Sequence, residues 1–159
     1  MDQQQVFIQM ALKAWNTQIE RTSKFFDGLT ADAFLMEIAP GKNRIIYLLG
    51  HLIAVNDSMI SLFGFGERSY SHFDDPFVKN PDKSDFLYPE ISQLRKDWNA
   101  SNQALTSYFT QMSPIEWFGK HTAMTDDDLI KEPTRNKLSV LINRTNHVAY
   151  HLGQLVLVK

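Results

Sequence analysis

The chain has 159 residues, 43% of them apolar and 21% charged, with a formal net charge of -2. This is the composition of one ordinary globular domain with a sizeable core, and it excludes disordered and fibrous classes. The sixteen basic residues are scattered, so there is no electrostatic footprint for nucleic acid or an anionic membrane, and the absence of cysteine removes disulfides, thiolate ligands and a cysteine nucleophile together.

The N-terminal run MDQQQVFIQM lacks the basic region and apolar stretch of a secretory signal, and no segment reaches eighteen uninterrupted apolar residues, which makes a cytoplasmic protein the default expectation. The first element is a long amphipathic helix from Asp2, a good N-cap, to about Leu29. Phe7, Met10, Ala11, Ala14, Trp15, Ile19, Thr22, Phe25, Phe26 and Leu29 recur in it at helical spacing, and Gly28 is placed to end it. Its aromatic stripe reads as core. Thr30, Ala31 and Asp32 can begin a short turn ahead of the Pro40-Gly41 breaker.

A second helix is expected from Asn43, as N-cap, to about Phe63, where Gly64-Phe65-Gly66 stops it. Leu48, Leu52, Val55, Met59 and Phe63 centre its apolar arc, Asn56 falls within that arc, and His51 sits at the edge beside Tyr47, Val55 and Ser58. A lone histidine there is an ordinary half-buried polar group or a ligand reaching into a bundle core.

From Gly64 to Tyr88 the periodicity disappears, leaving a long connection whose aromatics Tyr70, Phe73, Phe77 and Phe86 are suited to pin it to the body; His72 reads as solvent-exposed. Pro89 suits the first turn of a third helix, and Ile91, Leu94, Trp98, Ser101, Leu105, Tyr108 and Met112 carry the period to Ser113. Ser113-Pro114-Ile115-Glu116 has the form of a capping box and announces a short helix ending at Gly119. Between Lys120 and Pro133, Thr125 can cap another turn, with Asp126, Asp127 and Asp128 complementing a helix dipole rather than holding a cation.

The last segment, Thr134 to Lys159, reads as the final helix with Thr134 as N-cap. At about 100° per residue, Leu138, Leu141, Ile142, Val148, Ala149, Leu152, Leu155 and Val156 form one stripe, and Val140, His147, His151 and Val158 form a second face. A helix apolar over roughly 220° is packed on more than one side, so it is expected to be central or shared with a partner subunit. His147 and His151, four residues apart, stack on one face and can turn two imidazole nitrogens to one ion, with His51 the best-placed third donor.

Four long helices make an all-α four-helix bundle with a long connection between helices 2 and 3. His51 within LLGHL, and His147 and His151 within NHVAYHLGQL, resemble the pattern of the DinB/YfiT-like superfamily of metal-binding four-helix bundles. The most specific piece is the H-x-x-x-H pair followed by Gly153 and Gln154; Leu152 stands where relatives often carry arginine. The resemblance implies a single domain over residues 1–159, a mononuclear zinc or nickel site with His51, His147 and His151 as ligands, and a homodimer. It also implies, among other family activities, thiol-dependent transfer or hydrolysis.

Three neutral imidazoles leave open positions on the ion, as in a catalytic rather than a structural site. The residues between the paired histidines, Val148, Ala149 and Tyr150, lack the glutamate base of the H-E-x-x-H peptidases. The nucleophile is then a water or an external low-molecular-weight thiol activated at the ion, with no side chain in a catalytic role and a small electrophile as substrate. Tyr47, Val55, Asn143 and Gln154, one turn from the ligands, are expected to line the pocket, reached from the end covered by the connection. Two alternatives stand beside this: a metal-binding or stress-response protein without catalysis, and a plain helical interaction module with core histidines.

Overall fold

In the computed structural model, which describes residues 2–158, the chain is a bundle of α1 (Gln3–Asp27), α2 (Ile45–Phe63), α3 (Ile91–Gln111) and α6 (Lys137–Leu155), with short helices α4 (Pro114–Trp117) and α5 (Asp126–Lys131) between the last two long ones. Among the described residues there is no strand, only an isolated antiparallel bridge between Glu37 and Arg44. Capping residues at the helix starts act as expected at Asp2, which accepts from Gln5 N, and in the boxes Ser113/Glu116 and Thr125/Asp128.

Three helix starts differ from the sequence reading. At α2 the cap position is Arg44, not Asn43: its backbone N–H donates 2.7 Å to the carboxylate of Asp82, an acceptor supplied from the long connection. At α3 the helix begins at Ile91 with Glu90 at the cap, so Pro89 precedes the first turn. At α6 Asn136 replaces Thr134 as N-cap, its Oδ1 accepting from Ser139 N at 3.0 Å, because asparagine is the stronger cap and has serine at the matching position. Gly153 lies inside α6, which ends at Leu155; the expected end at Lys159 falls outside the described residues.

The central helix is α2, not α6. Ile45, Leu49, Leu52, Ile53 and Met59 are all fully enclosed, and most of α2 is buried on every side by the other helices and by the connection. By length and mean hydropathy α2 would span a bilayer, but 72% of its apolar window is buried inside the protein. On α6 the buried stripe is Leu138, Leu141, Thr145, Val148, Leu152 and Leu155, while Ile142 and Val156 are exposed. Similarly, α1 buries Ile8, Trp15, Thr22 and Phe26, leaving Phe7, Met10 and Ala14 facing solvent. The angular width of its apolar surface points to α6; packing follows the narrower line of residues that α1 and α2 meet.

The core is strongly aromatic. Trp15, Phe63, Phe109 and Trp117 meet at ring separations of 5.3–6.2 Å, and Phe26 packs edge-on against Trp98, whose Nε1–H donates 2.8 Å to Ser23 Oγ.

The connection between α2 and α3 is structured, with a 3-10 turn at Ser71–Phe73 and a π-helical turn at Asp75–Lys79, and is clasped to α2 at both ends. At its start the buried Asp57 carboxylate accepts from Ser69 N (3.2 Å), Tyr70 N (3.0 Å) and Arg68 Nε (3.1 Å). At its end Asp82 caps α2 and pairs with the Arg44 guanidinium at 2.7 Å, and the Tyr47 hydroxyl donates 2.8 Å to Asn80 O. Phe73 and Phe77 are buried between these clasps; Phe86 is exposed, and so is His72.

Candidate metal centre

His51 on α2 and His147 and His151 on α6 come together where these two helices face each other beneath the connection. The i, i+4 spacing on α6 puts one ring above the other, with centroids 4.6 Å apart, and each lies 5.1 Å from the His51 ring. The rings stand at 58–86° to one another, so they do not stack but converge through their Nε2 atoms. His51 Nε2 and His151 Nε2 each lie 3.1 Å from His147 Nε2. Nitrogens bound to one tetrahedral ion at about 2.0–2.1 Å lie roughly 3.3 Å apart, so the three rings are already spaced as a ligand set.

Two of the rings are held from behind. The His51 Nδ1–H donates to Phe77 O at 2.8 Å, and the His151 Nδ1–H donates to Gln154 Oε1 at 2.8 Å. Because a carbonyl oxygen can only accept, both rings are the Nδ1–H tautomer, with a lone pair on Nε2 directed at the common point. His147 Nδ1 is buried without a partner. Burial is also the main reason all three histidines sit below their ordinary pKa, His147 down to about 4 with His151, His51 and Arg144 adding to the effect. All three are therefore neutral at pH 7, the form in which imidazole binds a metal.

The Phe77 carbonyl reaches His51 because Gly50 has no side chain. A Cβ at Gly50 would stand 2.4–2.5 Å from three atoms of the Phe77 ring, so the ring lies directly on the α2 backbone one residue before the histidine. Tyr47 lies one turn earlier, its ring parallel to His51 at 6.2 Å and its hydroxyl bonded to the connection.

A cavity of about 310 Å³ opens beside the cluster, walled by Ala54, Val55 and Ser58 of α2, by Arg68, Asp74, Val78 and Lys79 of the connection, and by Arg144 and His147 of α6. Of the residues expected to line a pocket, Val55 lies on this wall, Tyr47 packs against His51, and Gln154 orients His151. Asn143 does not join them: although it stands four residues before His147, in the same row as the histidine pair, it is exposed and borders an adjoining groove with Leu62, His121 and Ser139, which Arg144 also lines. Sequence reasoning missed two groups. Phe77 acts through its backbone carbonyl, which no side-chain pattern announces, and Arg144 stands one turn before His147 on the same face, a spacing that was legible.

A family model described as the DinB superfamily matches residues 14–155. The fold is also similar to the crystal structure of a conserved protein from Enterococcus faecalis, with a TM-score of 0.64 and 18% identity over 99% of this chain and 98% of that one. At that identity the likeness shows the shared fold. No curated protein matches.

Proposed function

The chain belongs to the DinB superfamily, and from that premise we propose that it is a metal-dependent enzyme in which His51, His147 and His151 hold one divalent ion, zinc or nickel, for thiol transfer to, or hydrolysis of, a small electrophilic molecule. One observation carries this reading. With the Nδ1–H groups of His51 and His151 committed to Phe77 and Gln154, two lone pairs point at His147 Nε2 from 3.1 Å, and one proton there could satisfy only one of them. A cation at the common point satisfies all three nitrogens, and neutral imidazoles suit zinc and nickel.

A divalent ion in this setting supplies Lewis acidity, bringing the pKa of a water or thiol towards neutrality. The chain's own part is to orient and enclose. Phe77 O and Gln154 fix two rings, and Ala54, Val55 and Val78 give the adjoining cavity part of its wall as apolar surface. The one carboxylate on that wall, Asp74, is engaged by both terminal nitrogens of Arg68 at 2.7 Å, which leaves no free side-chain base. With no cysteine in the chain, the nucleophile comes from outside it, as an external low-molecular-weight thiol or as water.

The test is turnover of a chromogenic aryl halide with glutathione, and of a nitrophenyl ester without it, in the presence and absence of a chelator. Turnover of either that disappears with chelator and in His151→Ala supports the reading; turnover indifferent to both would overturn it. Assembly belongs to the same proposal. Exposed Ile142 on α6 and Val156 just after its end, with Phe7 and Met10 on α1, support a homodimer, and an obligate interface of that kind buries on the order of 2,000 Å² or more. Light scattering at micromolar concentration should give twice the 18.3 kDa of one chain, and the mass of a single chain would rule the dimer out.

A further inference from the structure

The cavity beside the histidines contains a cation that the chain does not neutralise. Arg144 lines it together with His147, Val55 and Ser58, standing between this cavity and the adjoining groove that it shares with Asn143. Its Nε is buried without a partner, and its one side-chain hydrogen bond is a long one, from Nη1 to Asn143 Oδ1 at 3.4 Å. Among the described residues no carboxylate lies within ion-pair distance of it. The other charges at this cavity are committed: Arg68 to Asp57 and Asp74, and Lys79 to Asp75 at 2.8 Å. Each arginine or lysine on the wall thus has an acid except the one nearest the ligand set in sequence.

An unpartnered guanidinium held partly out of water is costly to the fold, and its planar fork of donors matches the two oxygens of a carboxylate. The three neutral imidazoles contribute no negative charge, so a divalent ion among them would raise the positive potential further. Ala54, Val55 and Val78 on the same walls favour a short apolar body over a highly hydrated polyanion. Resting on the metal reading above, we propose that the substrate is a small carboxylic acid whose carboxylate pairs with Arg144, which turns the rest of the molecule towards the histidines. Arg144 is a specificity-determining residue in this account.

The experiment is a chemical-shift titration of zinc-loaded and metal-free protein with butanoate, with its neutral counterpart butanamide, and with inorganic phosphate, after metal content has been measured. Wild type should bind butanoate at least tenfold more tightly than butanamide in both forms. Arg144→Gln should keep its metal and lose most of that preference, the metal-free comparison being free of any direct contact between butanoate and zinc. Arg144→Met should lose it too while melting higher, by about 2–4 °C, because a buried charge without a partner has been removed. A merely structural arginine would lower the melting temperature when replaced. The proposal is overturned if wild type shows no preference for butanoate, if either variant retains it, or if phosphate binds more tightly than butanoate. Wild type that takes up no metal would instead overturn the metal reading, and the metal-free titration would still decide the role of Arg144.

Discussion

Replacing Gly50 with alanine sets two known effects against each other. Alanine in a helix interior is favoured over glycine by about 0.8–1.0 kcal/mol. Here, however, the new methyl would lie 2.4, 2.5 and 2.5 Å from three atoms of the Phe77 ring, so the ring must retreat by more than 1 Å to reach ordinary contact at about 3.5–4.0 Å. Phe77 is fully buried and has no free side to move into: Tyr88, Phe73 and Tyr47 stand at ring separations of 4.6, 5.2 and 5.9 Å. Overpacking of this kind costs roughly 1–3 kcal/mol, and a contact this close belongs at the upper end. The expected net loss is about 2 kcal/mol, or roughly 4–8 °C in melting temperature for a chain of this size. Because the same shift draws the Phe77 carbonyl away from His51 Nδ1, metal affinity should fall by about 10–100-fold as well. Gly153→Ala is the control: its Cβ meets nothing within 4 Å, so only the helix gain remains and the protein should melt higher by about 2–4 °C. The measurements are thermal unfolding followed by circular dichroism and zinc titration calorimetry. A Gly50→Ala protein as stable as wild type, with unchanged zinc affinity, would refute the reasoning.

Asp57→Ala should lower the urea midpoint by an amount equivalent to about 2–4 kcal/mol, since it leaves the Ser69 and Tyr70 amides and part of Arg68 unpaired at a buried position; a loss below about 0.5 kcal/mol would show that the clasp does not hold the connection. Acid should weaken the same clasp. The two bonds from Arg68 hold the Asp74 carboxyl below its ordinary pKa, so its contribution is complete above the unfolded value of about 3.9 and is lost as pH falls through the lower folded value. The urea midpoint should therefore drop as pH falls below about 4, and Asp74→Asn should both lower the midpoint at pH 7 and flatten that drop; an acid profile identical to wild type would contradict the assignment.

The helical period and the turn chemistry made the four long helices legible, and the 147/151 spacing, joined to His51, made the histidine set legible. Several of the less readable parts have determinants in distant segments. Asp82 caps α2 from a connection that begins beyond its far end, so a local reading settles on Asn43. The central position of α2 depends on which side chains its neighbours meet, and the broad apolar surface of α6 obscured it: Ile142 and Val156 count in a helical wheel but are exposed in the fold. Likewise, Phe77 reads as an aromatic pin, which it is, yet its part at the site is played by its carbonyl and made possible by Gly50. Asn143 illustrates the limit of helical spacing: four residues before His147 it lies only about 40° from that ring around the helix, yet its exposed side chain borders the neighbouring groove.

The central claim is that His51, His147 and His151 form one metal site, and metal content per chain tests it most directly. Protein purified without chelator, then equilibrated with zinc and freed of excess, should carry one ion per chain by elemental analysis. His147→Ala, which removes the ring whose Nε2 lies 3.1 Å from both others, should carry less than about a tenth of that while retaining its helical circular dichroism. Equal metal in wild type and His147→Ala, or none in wild type, would contradict the account.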